Sequence, residues 1–111
     1  MTKELKIKSG IKLLEEVEGT GKEVIKGDSV TVKLNAWLNS GTQVQTNFEE
    51  TIEIGSRKTI SGVENTILGM KKLGKRKVKI SPHLAYAKQG IVGLIPPNSV
   101  LIYEIEVLGE K

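Results

Sequence analysis

Residues 80–108 read ISPHLAYAKQGIVGLIPPNSVLIYEIEVL, and this stretch decides how the rest of the chain is understood. Ser81-Pro82 and Pro96-Pro97 are turn signals, because proline fixes φ and cannot continue a helix or a central strand. Between them Gly90 and Gly93 bracket Ile91-Val92, and Leu94-Ile95 follow directly. So many bulky aliphatics in a loop need an apolar surface to face. Two readings stand: a loop folded onto its own core, or the wall of an apolar binding cleft. After the prolines, Leu101–Val107 alternates apolar and polar residues with the period of a half-buried strand.

Composition excludes much chemistry. With 111 residues the chain has the size of one domain with a modest core. Apolar content of 38% and charged content of 27% suit a globular protein. No apolar run approaches the roughly 20 residues of a membrane helix. The opening MTKELKIKSG lacks the apolar segment of a signal peptide, so a cytoplasmic location is expected. Cysteine is absent and His83 is the single histidine. Disulfides, Cys/His zinc sites and a Cys nucleophile are therefore impossible. A Ser-His-acid triad could only be built on His83, which sits in a turn without a nucleophile-elbow context. Gly19-Thr20-Gly21 leads into a charged turn and a strand rather than a helix, which argues against a phosphate loop. No cofactor and no metal are implied.

Outward from the opening stretch, most segments read as strands. Ile11–Val17 is an early strand of imperfect alternation, with Leu13 and Leu14 adjacent. Val30, Val32 and Leu34 recur with period two. Asn39-Ser40-Gly41 is a hairpin turn into Gln43–Thr46. Phe48, Ile52 and Ile54 then share one face, and Glu50 breaks its apolar pattern. Arg76–Ile80 is a further strand. One segment is helical: Ser61-Gly62-Val63-Glu64 has capping-box spacing, with Ser61 as the cap and Glu64 bonding back to its amide. Val63, Ile67, Leu68 and Met70 form its apolar side, and Gly69 ends it after about two turns. The fold class expected is α+β, an antiparallel sheet wrapped around one short amphipathic helix. Residues 1–9 are read as a tail and 10–111 as the domain.

The ordered set of motifs, from the Asn-Ser-Gly hairpin through Ile60-Ser61-Gly62-Val63-Glu64, Gly69-Met70-Lys71, Ser81-Pro82, Ala85-Tyr86 and Ile95-Pro96-Pro97-Asn98, resembles the FKBP family over about Gly10 to Leu108. These are peptidyl-prolyl cis-trans isomerases that also bind macrolides such as rapamycin. The resemblance implies an apolar cleft that rotates Xaa-Pro bonds and assists protein folding. Its partners would be proline-containing peptides or unfolded polypeptides, without nucleic acid or membrane, and the protein would act as a monomer. Such chemistry suits a chain without nucleophiles, since rotation breaks no covalent bond.

Carried over by position, the resemblance implies two catalytic positions. Ile60 would offer its backbone amide to the substrate carbonyl, and Tyr86 would offer its hydroxyl. Leu94 and Ile95 correspond to the aliphatic pair overhanging the cleft, and Tyr103 to an aromatic wall residue. Other substrate-binding positions depart from the pattern. Val63 stands where the family has a tryptophan floor, and Leu34 replaces a tyrosine. Val44 and Gln45 replace a Phe-Asp pair. Glu50 falls at the place of a phenylalanine, for which Phe48 could substitute. These departures imply a wider, less aromatic pocket of reduced activity, with weakened macrolide affinity and a preference for an apolar residue before proline. The alternative is a non-catalytic FKBP-like binding module.

The run Lys71–Lys79 and the net charge of +4 raise the idea of an anionic partner. Its lysines alternate with Val78 and Ile80, and the run contains no aromatic residue to stack on a base. A solvated strand face is the expectation there.

Overall fold

The computed structural model describes residues 6–110. Its elements are β1 (Lys6–Lys8), β2 (Ile11–Val17), β3 (Ser29–Leu38), β4 (Gln43–Glu53), helix α1 (Ser61–Ile67), β5 (Lys75–Ile80) and β6 (Leu101–Glu110), with a 3-10 turn at Pro82–Leu84. The strands form one six-stranded antiparallel sheet in the order β1-β2-β5-β6-β3-β4. The α+β class expected from the alternation is the one observed. The tail read over residues 1–9 includes a strand at Lys6–Lys8, paired with β2.

The central strands show why the sheet curls over the helix. On β3 Val30, Val32, Leu34 and Ala36 are buried, and on β6 Leu101, Tyr103, Ile105 and Val107 are buried. Both strands are rich in β-branched residues, which favour a pleated, half-buried surface. Val78 and Ile80 of β5 and Ile11 and Leu13 of β2 extend this inner face. Val63, Ile67 and Met70 close the core against it. Gly62 lets the helix sit tightly on β5: a Cβ there would lie 2.5 Å from Ile80 Cγ2. Leu68 departs from the expected apolar stripe and is exposed.

Two irregularities have local causes. The imperfect alternation of β2 is a register shift against β5 between Leu13 and Glu15, and it leaves Val17 exposed. On β4 the pairing with β3 passes from Ala36↔Gln45 to Leu34↔Phe48, so two residues of β4, Thr46 and Asn47, oppose the single Asn35 of β3. Asn47 takes φ 45 within that bulge. Asn35 Oδ1 holds it by accepting from the Asn47 amide at 2.9 Å.

The capping box is not formed. Ile60 is the N-cap, Ser61 is the first helical residue, and no side chain caps the helix. Side chains of a helix lean toward its N-terminus, which carries the Glu64 carboxylate out to the preceding loop. Its Oε1 accepts from the Gly55 amide at 3.2 Å and its Oε2 from the Arg57 amide at 3.1 Å. At the other end Arg76 donates to the Thr66 carbonyl at 2.9 Å and the Leu68 carbonyl at 3.2 Å. Those are carbonyls that a helix end leaves without partners of its own.

Candidate active site

The loop after β4 delivers Ile60 to a cavity of about 390 Å³ between the inner sheet face and the chain after β5. Leu34 of β3, Phe48 and Glu50 of β4, Tyr103 of β6 and Tyr86 line it together with Ile60. Five expected site residues, Leu34, Phe48, Ile60, Tyr86 and Tyr103, are thus brought to one place. Gln45, Arg57, Lys58 and Thr59 complete the lining.

Backbone chemistry at Ile60 is unequal. Its carbonyl accepts from the amides of Val63 at 3.0 Å and Glu64 at 3.3 Å, which starts the helix. Its own N–H has no acceptor among the described residues. An N–H left in this state at a cleft wall is available to a ligand carbonyl, because half-buried donors are stabilised by finding an acceptor. Glu64, by tying the amides of Gly55 and Arg57, holds the loop that presents it.

Opposite, Tyr86 is held by the loop read first in the sequence. Its carbonyl accepts from the Gly90 amide at 3.0 Å, and the Ala87 carbonyl accepts from the Asn98 amide at 2.7 Å. Tyr103 is 3% exposed, and burial pushes its phenol above the usual tyrosine range, with Tyr86 and Glu50 adding to the effect. Tyr103 therefore stays a neutral hydroxyl group in the wall.

Four expected residues lie elsewhere. Val63 is 1% exposed and belongs to the core, not to the cavity lining. A valine is too short to reach past its neighbours. Val44 falls at a second register shift, between Ala36 and Trp37, and packs against the core. Leu94 and Ile95 line a neighbouring groove of about 340 Å³ with Leu38, Ile91, Val92 and Pro96. There Ile91 and Ile95 exchange backbone hydrogen bonds of 2.8 Å, forming a tight turn that directs Ile95 into the core and leaves Val92 99% exposed. Ile95 is thus folded onto the core, while Leu94 and Val92 stay exposed along the groove.

Gln45 and Glu50, which the resemblance aligned with pocket positions as departures from its pattern, both stand in the wall, whereas Arg57, Lys58 and Thr59 were not anticipated there. For Glu50 the signal was present: it shares parity with Phe48 and Ile52, and it pairs with buried Val32. The facing of Gln45 was hidden by the bulge. Elsewhere, a polar hollow of about 200 Å³ beside the end of α1 is occupied by its own ion pairs, Lys71–Glu18 at 2.9 Å and Arg76–Glu16 at 2.8 Å. Among the described residues no cluster of His, Asp or Glu could hold a metal ion.

Among the described residues the fold is thus a curled antiparallel sheet with one short helix, and its cleft is lined by both the N-cap residue Ile60 and the loop tyrosine Tyr86. Residues 21–108 match the family model of the FKBP-type peptidyl-prolyl cis-trans isomerases. The chain is 38% identical over 104 residues to an FK506-binding protein of Neisseria meningitidis serogroup A, covering 89% of this chain and 95% of the relative. It is 36% identical over 107 residues to FK506-binding protein 1A of Neurospora crassa, covering 92% and 89%. The crystal structure of AtFKBP13 superposes with a TM-score of 0.84 at 30% identity, covering 93% of this chain and 94% of that one. The chain belongs to the FKBP-type peptidyl-prolyl cis-trans isomerase family.

Proposed function

We propose that this chain rotates Xaa-Pro peptide bonds in the cleft between Ile60 and Tyr86, with lowered activity, and so assists the folding of proline-containing polypeptides. The N–H of Ile60, a residue that lines the cavity of about 390 Å³ and whose amide has no acceptor among the described residues, carries the reading. Rotation must overcome an amide resonance barrier of about 18–20 kcal/mol. A prolyl ring seated among Leu34, Phe48 and Tyr103 leaves water behind, and the planar amide loses the solvation that favours its separated charge. The Ile60 amide then holds the substrate carbonyl while the C–N bond turns, and the Tyr86 hydroxyl bonds the peptide on the other side. No proton is transferred and no intermediate is formed. Macrolide binding of weakened strength belongs to the same proposal, since relatives carry FK506-binding in their names.

Lowered activity follows from Val63, which leaves the cleft without an aromatic floor. The same observation favours a second reading, a binding module that holds proline segments without turning them. Exchange NMR on Xaa-Pro peptides separates the two. Acceleration above the buffer rate is expected. Bound peptide whose cis and trans forms interchange no faster than in buffer establishes the binding module instead.

A further inference from the structure

The cleft is not a purely aliphatic slot. Glu50 lies on the inner face opposite Val32, in the cavity wall, and its carboxylate has no hydrogen-bond or ion-pair partner among the described residues. Gln45 lines the same cavity, and its Oε1 is buried without a hydrogen-bond partner. The β4 bulge is responsible. One extra residue shifts the strand's parity, so that Gln45 faces inward with Phe48 and Glu50 rather than away from them. Gln45 and Glu50 thereby stand in the same cavity wall as Tyr103, whose phenol feels the Glu50 charge, and of the two acceptors it is the Glu50 carboxylate that is partly exposed to the cavity. Arg57 and Lys58 also line the cavity, but both are exposed and neither comes within ion-pair distance of Glu50. Acceptors left without donors are stabilised by a ligand that brings donors, most of all charged ones.

We propose that the cleft selects proline peptides carrying a basic residue next to the proline, whose cation is received by the Glu50 carboxylate. This rests on the cleft being the peptide site. A side chain adjacent to proline is the one whose position is set once the ring is seated. An ammonium offers three donors and a guanidinium five, enough to serve the carboxylate oxygens of Glu50. The inference replaces the apolar preference that the aliphatic residues alone suggested. It also runs against the net charge of +4, which at long range favours acidic peptides. The order of lysine and glutamate therefore decides between the local wall and the global field.

The test uses the full chain and three blocked peptides that differ only beside the proline: lysine, its uncharged isostere norleucine, or glutamate, placed before the proline in one set and after it in another. Affinity comes from amide shifts and rotation from exchange NMR. In at least one set the lysine peptide should bind roughly threefold more tightly than norleucine, as for an ion pair in a half-exposed cleft, and glutamate should bind weakest. Glu50→Gln should bring the lysine-to-norleucine ratio close to one. Equal affinities for lysine and norleucine in both sets, tighter binding of glutamate, or no binding at all would overturn the proposal. The wild-type comparison stands without the variant, should that fold poorly. Equal acceleration and binding of all peptides would sink charge selection and leave the isomerase reading intact. A lysine preference in binding without acceleration would do the reverse.

Discussion

The outer face of the sheet and the cleft beneath its inner face are both rich in polar groups, but they differ in whether those groups have partners. On the outer face charges answer one another across strands: Lys75 pairs in register with Glu106, and Lys77 with Glu104. Lys33 Nζ reaches Glu106 at 3.5 Å, and Lys77 Nζ lies 5.7 Å from the centre of the Trp37 ring. Such cross-strand pairs stabilise a sheet and ask nothing of a ligand. In the cleft the Ile60 N–H, Gln45 Oε1 and the Glu50 carboxylate are left over. The densest run of charge in the sequence, Lys71–Lys79, is therefore mostly sheet surface, while the groups that the fold leaves unmatched are a few uncharged or singly charged ones at the cleft.

The comparison is most exposed to a test at Ile60. Its φ of −63 and ψ of 145 suit proline, so Ile60→Pro should fold while deleting the free N–H. Peptide affinity should fall by roughly tenfold or more, the loss expected for an unpaired carbonyl, read by titration with circular dichroism confirming the fold. Unchanged affinity would remove the carrying observation of the proposed function.

At Val63 the structure sharpens the same contrast between core and cleft. A residue 1% exposed leaves no room for a larger ring, so Val63→Trp should destabilise by about 1–3 kcal/mol in urea unfolding rather than furnish a floor. A variant of wild-type stability with raised isomerase activity would show that Val63 borders the cleft after all. A smaller effect is expected at the opposite wall. Tyr86→Phe keeps the ring and should weaken peptide binding by roughly 0.5–1.5 kcal/mol, the contribution of one neutral hydrogen bond. Identical affinities would place the peptide elsewhere.

The sheet face supplies the control. Lys77→Ala removes the cation above Trp37 and should lower stability by about 0.5–1 kcal/mol, with no change in peptide affinity. A change in affinity would mean that the outer face takes part in recognition, and the division between the two regions would fail.

Much of the fold was legible without coordinates because its signals are local. Period-two alternation over Val30–Leu34 and Leu101–Val107 marks strands buried on one side, and the glycine of Asn39-Ser40-Gly41 takes the φ of 105 that its turn needs. The turn closes with Gly41 N donating to the Leu38 carbonyl at 2.8 Å. The site was legible only in part. Leu34, Phe48, Ile60, Tyr86 and Tyr103 converge on one cavity, whereas Val44, Val63, Leu94 and Ile95 do not line it.

What the sequence by itself determined is the strand pattern from Ile11 onward, the helix, the turns and the family, since each depends on neighbouring residues or on motifs in order; β1 at Lys6–Lys8 was read as tail. Partnership is a different kind of property. Whether Glu64 caps its own helix or ties the loop at Gly55 and Arg57 depends on where that loop passes. Which way Gln45 faces depends on one extra residue in a strand pairing with β3. Whether Arg76 is a surface cation or the cap of α1 depends on the sheet bringing β5 beneath the helix end. Those outcomes were decided by the tertiary structure, because a hydrogen bond is satisfied or left open by atoms distant in sequence, and it is the open ones that make the cleft.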